Sequence, residues 1–199
     1  MARKAASAAG LNELAAFAEK DVVHVIIDTP KGSRNKFKYD EALGLFKLSG
    51  VLPAGAVFPF DFGFVPSTVG GDGDALDVLV LMDEPAFVGC LVEVRLVGVI
   101  EAEQTEDKER TRNDRLIGVA DQAKDHKGIR RLSQLNDHLV AEIEHFFVSY
   151  NEMKGKVFKP LGWHGPKRAQ ALVKDGVREF KKEHDKRKVA TKNKRASKK

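Results

Sequence analysis

Three carboxylates fall within six consecutive positions, 72 to 77, of Gly70-Gly71-Asp72-Gly73-Asp74-Ala75-Leu76-Asp77, a glycine-rich stretch that runs directly into Val78-Leu79-Val80. Carboxylates this crowded repel one another. They coexist where each faces water separately or where a hard divalent cation neutralises them. One reading is therefore a Mg2+ site. The other is a polar hairpin loop, since Asp-Gly is also a favoured turn dipeptide. A calcium-binding EF-hand loop is excluded. Counted from Asp72, its fifth, sixth and twelfth positions hold Leu76, Asp77 and Asp83, where an oxygen donor, a glycine and a glutamate are needed.

A second group of chemically capable residues lies upstream in Gly32-Ser33-Arg34-Asn35-Lys36-Phe37-Lys38-Tyr39. Strand alternation sends Lys36 and Lys38 to the same side, where they either meet an anion or form a solvated face. Between the two groups, Phe58, Phe60, Phe62 and Phe64 alternate along residues 57–66, the pattern of a buried aromatic ridge on one strand. The six histidines (24, 126, 138, 145, 164 and 184) have no zinc-ligand spacing. Cys90 lacks a cationic neighbour that would activate it and is expected to be an inert strand residue. The sequence contains no Walker-type glycine loop, nucleophile elbow or dinucleotide fingerprint.

The elements that must position these groups change period along the chain. Leu11, Leu14, Phe17 and Ala18 have helical spacing, predicting a short leading helix over residues 11–18. Segments 22–28, 36–40, 44–48, 78–82, 91–100 and 115–119 are short, rich in β-branched residues and separated by Gly, Pro, Asp and Asn, as the strands of an antiparallel barrel or sandwich are. After Leu132 the helical period returns. Leu139, Ile143, Phe146, Phe147 and Tyr150 share one face behind a possible N-cap at Ser133 or Asn136. A last helix, following Pro166, carries Ala169, Leu172, Val173, Val177 and Phe180. Strands first and helices afterwards indicate an α+β fold, mainly β, in which helices pack on a barrel.

The chain has 199 residues, 42% hydrophobic and 32% charged, enough for one globular unit with a real core. No run of about 18 apolar residues is present to form a membrane-spanning helix. A single cysteine excludes an internal disulfide framework, and no secretory apolar stretch follows Met1, so a cytoplasmic setting is expected. Charge divides unevenly. Residues 181–199 hold ten Lys/Arg and two Asp/Glu, a net of +8, so with the whole chain at +5 residues 1–180 carry −3. The expected organisation is an N-terminal helical extension over 1–20, one domain over 21–180 and a disordered basic tail over 181–199. Such a tail is either simply solvated or a weak, sequence-blind ligand for polyanions.

Several segments taken together resemble the family I soluble inorganic pyrophosphatases. They are Ile27-Asp28-Thr29-Pro30, residues 33–40, Phe58-Pro59 with Gly63-Phe64-Val65-Pro66, Asp72-Gly73-Asp74 with Asp77-Val78-Leu79-Val80, Val97-Gly98-Val99, and His145-Phe146-Phe147 with Tyr150. The similarity spans roughly residues 20–165. It implies a five-stranded OB-like barrel with C-terminal helices, a homo-oligomer, and hydrolysis of pyrophosphate with several Mg2+ ions at the barrel mouth. By resemblance, Asp72 and Asp77 ligate metal and Asp74 accepts or orients the proton of the attacking water. Lys36 and Tyr150 hold phosphate oxygens, Asp28 is an outer metal or water ligand where the family has Glu, and Arg115 matches a family Lys near the phosphates.

The chain departs from that pattern at identifiable positions. Lys38 replaces an acidic residue, Gly50 a phosphate-binding Arg, Phe58 and Phe62 two tyrosines, and Asn151 the Lys that follows the helical Tyr. The alignment puts Gln104 and Asn113 at two metal-ligand positions, with Asp114, or one of Glu103, Glu106 and Asp107, reaching in instead. Arg34, Lys38, Lys47 and Arg112 are candidates to rebuild the substrate clamp. The resemblance therefore implies a Mg2+-dependent diphosphatase. The alternatives are an impaired relative that binds polyanions, or a hydrolase of another small phosphorylated metabolite.

Overall fold

The computed structural model describes Leu11 and residues 14–196. A short β1 (Phe17–Glu19) precedes β2 (Val22–Thr29), and β3 (Asn35–Asp40) with β4 (Leu45–Val51) forms a separate two-stranded hairpin. Then follow β5 (Asp61–Phe64), β6 (Asp77–Leu81), the long β7 (Leu91–Glu106), β8 (Glu109–Arg112) and β9 (Arg115–Ala120). Helix α1 (Asp137–Glu152), strand β10 (Val157–His164) and helix α2 (Pro166–Ala196) complete the order.

Five of these strands close a ring. β2 pairs with β5, β5 with β6, β6 with β9, β9 with β7, and β7 returns to β2. The β6–β9 pair is parallel and the other four are antiparallel. This is the barrel expected from the sequence, and closing the sheet removes the exposed edges an open one would present. Its interior is made by the β-branched runs: Val23, Val25, Ile27, Val78, Val80 and Val99 are all at 0% exposure. Each such side chain contributes about 1.5–3 kcal/mol of burial.

Helix α1 starts as the sequence predicts, with the Asn136 side chain accepting the His138 N–H at 2.9 Å. It buries Ile143, Phe147 and Tyr150, and Phe147 meets Phe62 and Phe158 at centroid distances of 6.0 and 5.9 Å. Trp163 on β10 ties back to the helix by donating to Glu144 at 2.7 Å. Phe58 and Phe62 are buried as the ridge predicts, but the strand there is confined to Asp61–Phe64, because Pro59 cannot donate to a ladder.

Four expectations differ from the structure. Residues 17–19 are strand, paired with Val22 and Val23 of β2, so a free sheet edge overrides helical spacing; residues 1–10, 12 and 13 of the expected extension lie outside the described residues. β10 is absent from the sequence reading, since Pro160 and Gly162 disguise it; it forms because the outer half of β7, Val99–Thr105, needs a partner. Helix α2 does not stop at residue 180 but runs through Ala196, and only residues 197–199 of the expected tail fall outside the described backbone. Residues 177–196 contain neither Gly nor Pro, and Lys182 pairs with Glu179 one turn earlier, so nothing breaks the helix. Cys90 lies just before β7 rather than within it. Among the described residues, no helix is long and apolar enough to cross a membrane.

Candidate active site

The acidic stretch connects β5 to β6 and is folded tightly on itself. Gly70 N–H donates to Asp74 O at 2.7 Å, Gly73 N–H to Gly70 O at 3.2 Å, and Asp74 N–H to Asp72 Oδ1 at 3.2 Å. Gly73 sits at φ 84°, a left-handed turn position that suits glycine. The loop is also held from behind. Thr68 Oγ1 accepts the Leu76 N–H at 3.1 Å, and Val69 N–H donates to the carbonyl of Gly176 on α2 at 3.1 Å. A side chain at Gly176 would place its Cβ 2.9 Å from Leu76, so the helix approaches the loop this closely only because residue 176 has none.

The loop does join antiparallel strands, as the hairpin reading has it, yet Asp72, Asp74 and Asp77 all face one cavity of about 580 Å3. The other walls come from distant parts of the chain: Asp28 on β2, Lys36 and Lys38 on β3, Gln104 on β7, Arg115 on β9 and Tyr150 on α1. Seven of the eight site residues expected from the sequence therefore meet: Asp28, Lys36, Asp72, Asp74, Asp77, Arg115 and Tyr150.

Asp114 is the exception and is corrected. Its Oδ1 accepts the Ala102 N–H at 3.0 Å and pairs with Arg112 at 2.7 Å, on a groove shared with Arg168 and Leu172 behind the acidic loop. Successive residues of an extended chain point to opposite sides, so with Asn113 and Arg115 facing the cavity Asp114 faces away. Of the cations considered for the clamp, only Lys38 lines the cavity. Arg34 donates to Leu52 O at 2.9 Å, Lys47 pairs with Asp40 at 2.7 Å, and Arg112 pairs with Glu101 at 2.8 Å. The sequence reading missed Lys154 and Lys156, which both line the cavity. The four-residue spacing of Lys154 from Tyr150, one helical turn, was the available signal.

Each of three carboxylates carries its own cation. Lys36 Nζ lies 2.7 and 2.8 Å from the two oxygens of Asp28. Lys38 Nζ lies 2.9 and 2.8 Å from those of Asp74, and Arg115 binds both Asp77 and the Asn113 side chain. Asn113 donates in turn to Gln104 at 2.9 Å, so these two amides satisfy one another where the alignment suggested metal donors. As the pairs stand, no three carboxylate or imidazole groups among the described residues converge tightly enough to enclose an ion.

Asp72 has no ion pair among the described residues. Burial, followed by the charge of Asp77, pushes its carboxyl above the usual range, with Arg115 opposing. That uncompensated negative charge, set among hard oxygen donors, fits a divalent cation such as Mg2+. Burial also raises the Asp28 carboxyl, with Lys36 opposing. Burial lowers the Lys38 amine, but Asp74, Asp77 and Asp72 together outweigh it and hold it above the ordinary lysine range. Lys154 is lowered, first by burial and then by the charges of Lys36 and Lys156.

The aromatic floor completes the site. Lys36 Nζ stands 4.3 Å over the Phe62 ring and 5.6 Å from Phe58. Phe58 in turn packs edge-on against Tyr150 at 5.5 Å. The two phenylalanines thus supply ring faces to an ammonium and contribute no hydroxyl.

Compared with known proteins, residues 25–181 match the family model described as inorganic pyrophosphatase. The chain belongs to the inorganic pyrophosphatase family. An inorganic pyrophosphatase of Thermus thermophilus is 40% identical over 166 residues, covering 81% of this chain and 91% of the relative. One from Nostoc is 33% identical over 171 residues, 86% of this chain and 99% of the relative. A crystal structure of inorganic pyrophosphatase from Thermus thermophilus superposes with a TM-score of 0.79 at 37% identity, covering 87% of this chain and 99% of that one. Two side chains flank Tyr150 at the cavity wall. Asn151 is 2% exposed and donates to Phe147 O at 2.8 Å inside the helix, while Lys154 Nζ reaches the Tyr150 hydroxyl from the following turn.

Proposed function

We propose that this chain hydrolyses inorganic diphosphate to two phosphates, with Mg2+ held by Asp72 and Asp77, with Asp28 as an outer ligand and with Asp74 as the proton acceptor. One observation carries the reading: Asp28, Asp72, Asp74 and Asp77 share a single cavity with Lys36, Lys38, Arg115, Tyr150 and Lys154, in a member of the inorganic pyrophosphatase family. Diphosphate bears roughly three to four negative charges, so its hydrolysis is mainly a matter of positioning and charge stabilisation. Mg2+ is the metal that hard carboxylate oxygens and phosphate favour, and when bound it neutralises the anion and makes a water easier to deprotonate.

The chain's own groups divide the remaining work. Asp74, with a side chain 62% exposed, is reached by solvent and takes the proton that the attacking water loses. The water oxygen bonds to one phosphorus, the bridging P–O bond breaks, and its electron pair leaves with the second phosphate. Lys154 and Tyr150 stand side by side as donors to phosphoryl oxygens. To the same reading belong a cytoplasmic setting, a homo-oligomer and a salt-sensitive contact of residues 181–199 with polyanions, each supported by composition or by the family resemblance.

The deciding assay is phosphate release from diphosphate by purified, folded protein. Release is expected in millimolar Mg2+, with loss on chelation and loss in Asp74→Asn; no release from the folded wild type overturns the proposal. Tyr150 provides a finer check. Burial, and then the charge of Asp77, push its hydroxyl far above the ordinary phenol range, so it stays protonated and, while accepting from Lys154, keeps its own proton to donate. Tyr150→Phe is therefore expected to lower kcat/KM about tenfold, the scale of one hydrogen bond to a charged group. The alkaline limb of the pH profile should keep its position. A displaced limb would make the hydroxyl a titrating acid.

A further inference from the structure

We infer that Lys38 is a tethered cation seated on the proton acceptor Asp74, where its charge opposes Mg2+ at the neighbouring Asp72 and Asp77, so that entry of the divalent ion drives the ammonium off Asp74. The inference rests on the diphosphatase reading above and assigns a role to Lys38, which the family resemblance sets where an acidic residue is expected.

Three observations support it. Lys38 Nζ lies 2.9 and 2.8 Å from Asp74 Oδ1 and Oδ2, so a single ammonium covers both oxygens. The pair is also exchangeable. Its side chains are 56% and 62% exposed, against 13% and 7% for Lys36 and Asp28, so water and ions reach it and the long lysine stem is free to swing away. Finally, Lys38 lines the same cavity as Asp72 and Asp77, so its charge weakens the field that would draw a cation to them.

The two cations exclude one another for a simple reason. An ammonium has three N–H donors and no lone pair, so it cannot join the coordination shell of a metal, and it repels one held by the neighbouring Asp72 and Asp77. Displacement has a second consequence. The released ammonium stays in the cavity, where its N–H donors suit the oxygens of a phosphate. One residue thereby opposes metal binding in the resting protein and assists anion binding once the metal is in place.

The test is calorimetric titration of the full chain with Mg2+ alone, then with the non-hydrolysable analogue imidodiphosphate at saturating Mg2+. Lys38→Gln should bind Mg2+ about fivefold tighter, the scale of an exposed ion pair. The same variant should bind the analogue about fivefold more weakly. Lys38→Arg, which keeps the charge, should stay near wild type in both titrations. A purely structural role for Lys38 would not move the two affinities in opposite directions, and equal Tm values confirm that the fold is intact. Unchanged Mg2+ affinity in Lys38→Gln, with wild-type binding that Asp72→Asn destroys, overturns this inference and leaves the diphosphatase reading standing. A wild type that binds no Mg2+ at millimolar concentration overturns both.

Discussion

Asp77→Asn should lower kcat/KM for diphosphate about a thousandfold, roughly 4 kcal/mol of transition-state stabilisation. Asp77 opens β6, so its backbone is fixed in the barrel wall, opposite Phe64 of β5. Its charge reaches further through the site than that of any other carboxylate in the cavity. It raises the Asp28 and Asp72 carboxyls and the Tyr150 hydroxyl, and it works against the depression of the Lys154 amine. An amide at position 77 keeps an oxygen for Arg115 but removes the charge that a metal would answer. The loss should appear in kcat and resist added Mg2+, which is checked by measuring phosphate release across a Mg2+ series. Retention of more than about one tenth of wild-type activity would remove Asp77 from the metal-binding set.

The second large effect is on stability. Lys36→Met should destabilise the fold by about 3 kcal/mol at neutral pH, because it strands the buried Asp28 carboxylate without its cation. In a chain of this size that is a fall in Tm of roughly 6–12 °C. The sign of the pH dependence follows from Asp28, whose folded-state pKa is raised, chiefly by burial, above its unfolded value of 3.8. A group raised in this way stabilises fully below its unfolded pKa, and that contribution is lost as pH rises through the folded one. Without Lys36 the carboxyl is raised further, so the gap between variant and wild type should be small near pH 4 and grow towards neutrality. Asp28→Asn in the Lys36→Met background should recover most of it. A Tm difference independent of pH would assign the loss to packing against Phe58 and Phe62 instead.

Much of the barrel was legible because its strands are β-branched runs buried on both sides: Val22-Val23-His24-Val25-Ile26-Ile27 and Val78-Leu79-Val80-Leu81 leave little alternative. Helix α1 was legible from its apolar face and its Asn136 cap. Elements recruited by an exposed edge were not. β1 and β10 form because β2 and β7 have backbone groups to satisfy, and nothing in their own side chains announces it. The acidic loop could be read because its chemistry is written in consecutive residues. The pairing of Lys36 with Asp28, Lys38 with Asp74 and Arg115 with Asp77 spans separations of 8, 36 and 38 residues, which only the closed barrel and the β3–β4 hairpin beside it bring together. Asp114 failed for a local reason. It lies between β8 and β9, where the facing of alternate residues depends on where the strand begins.

The hydrogen bond from Val69 to Gly176 has a consequence for how the molecule is made on the ribosome. All five staves of the ring have been synthesised by residue 120, yet the loop of Asp72 and Asp74 lacks its rear support until a segment more than fifty residues later emerges. A nascent polypeptide can therefore assemble its barrel well before it can fix Asp72 and Asp74 in place. Competence to cleave diphosphate waits for α2, whose Ala169 and Val173 also complete the buried core.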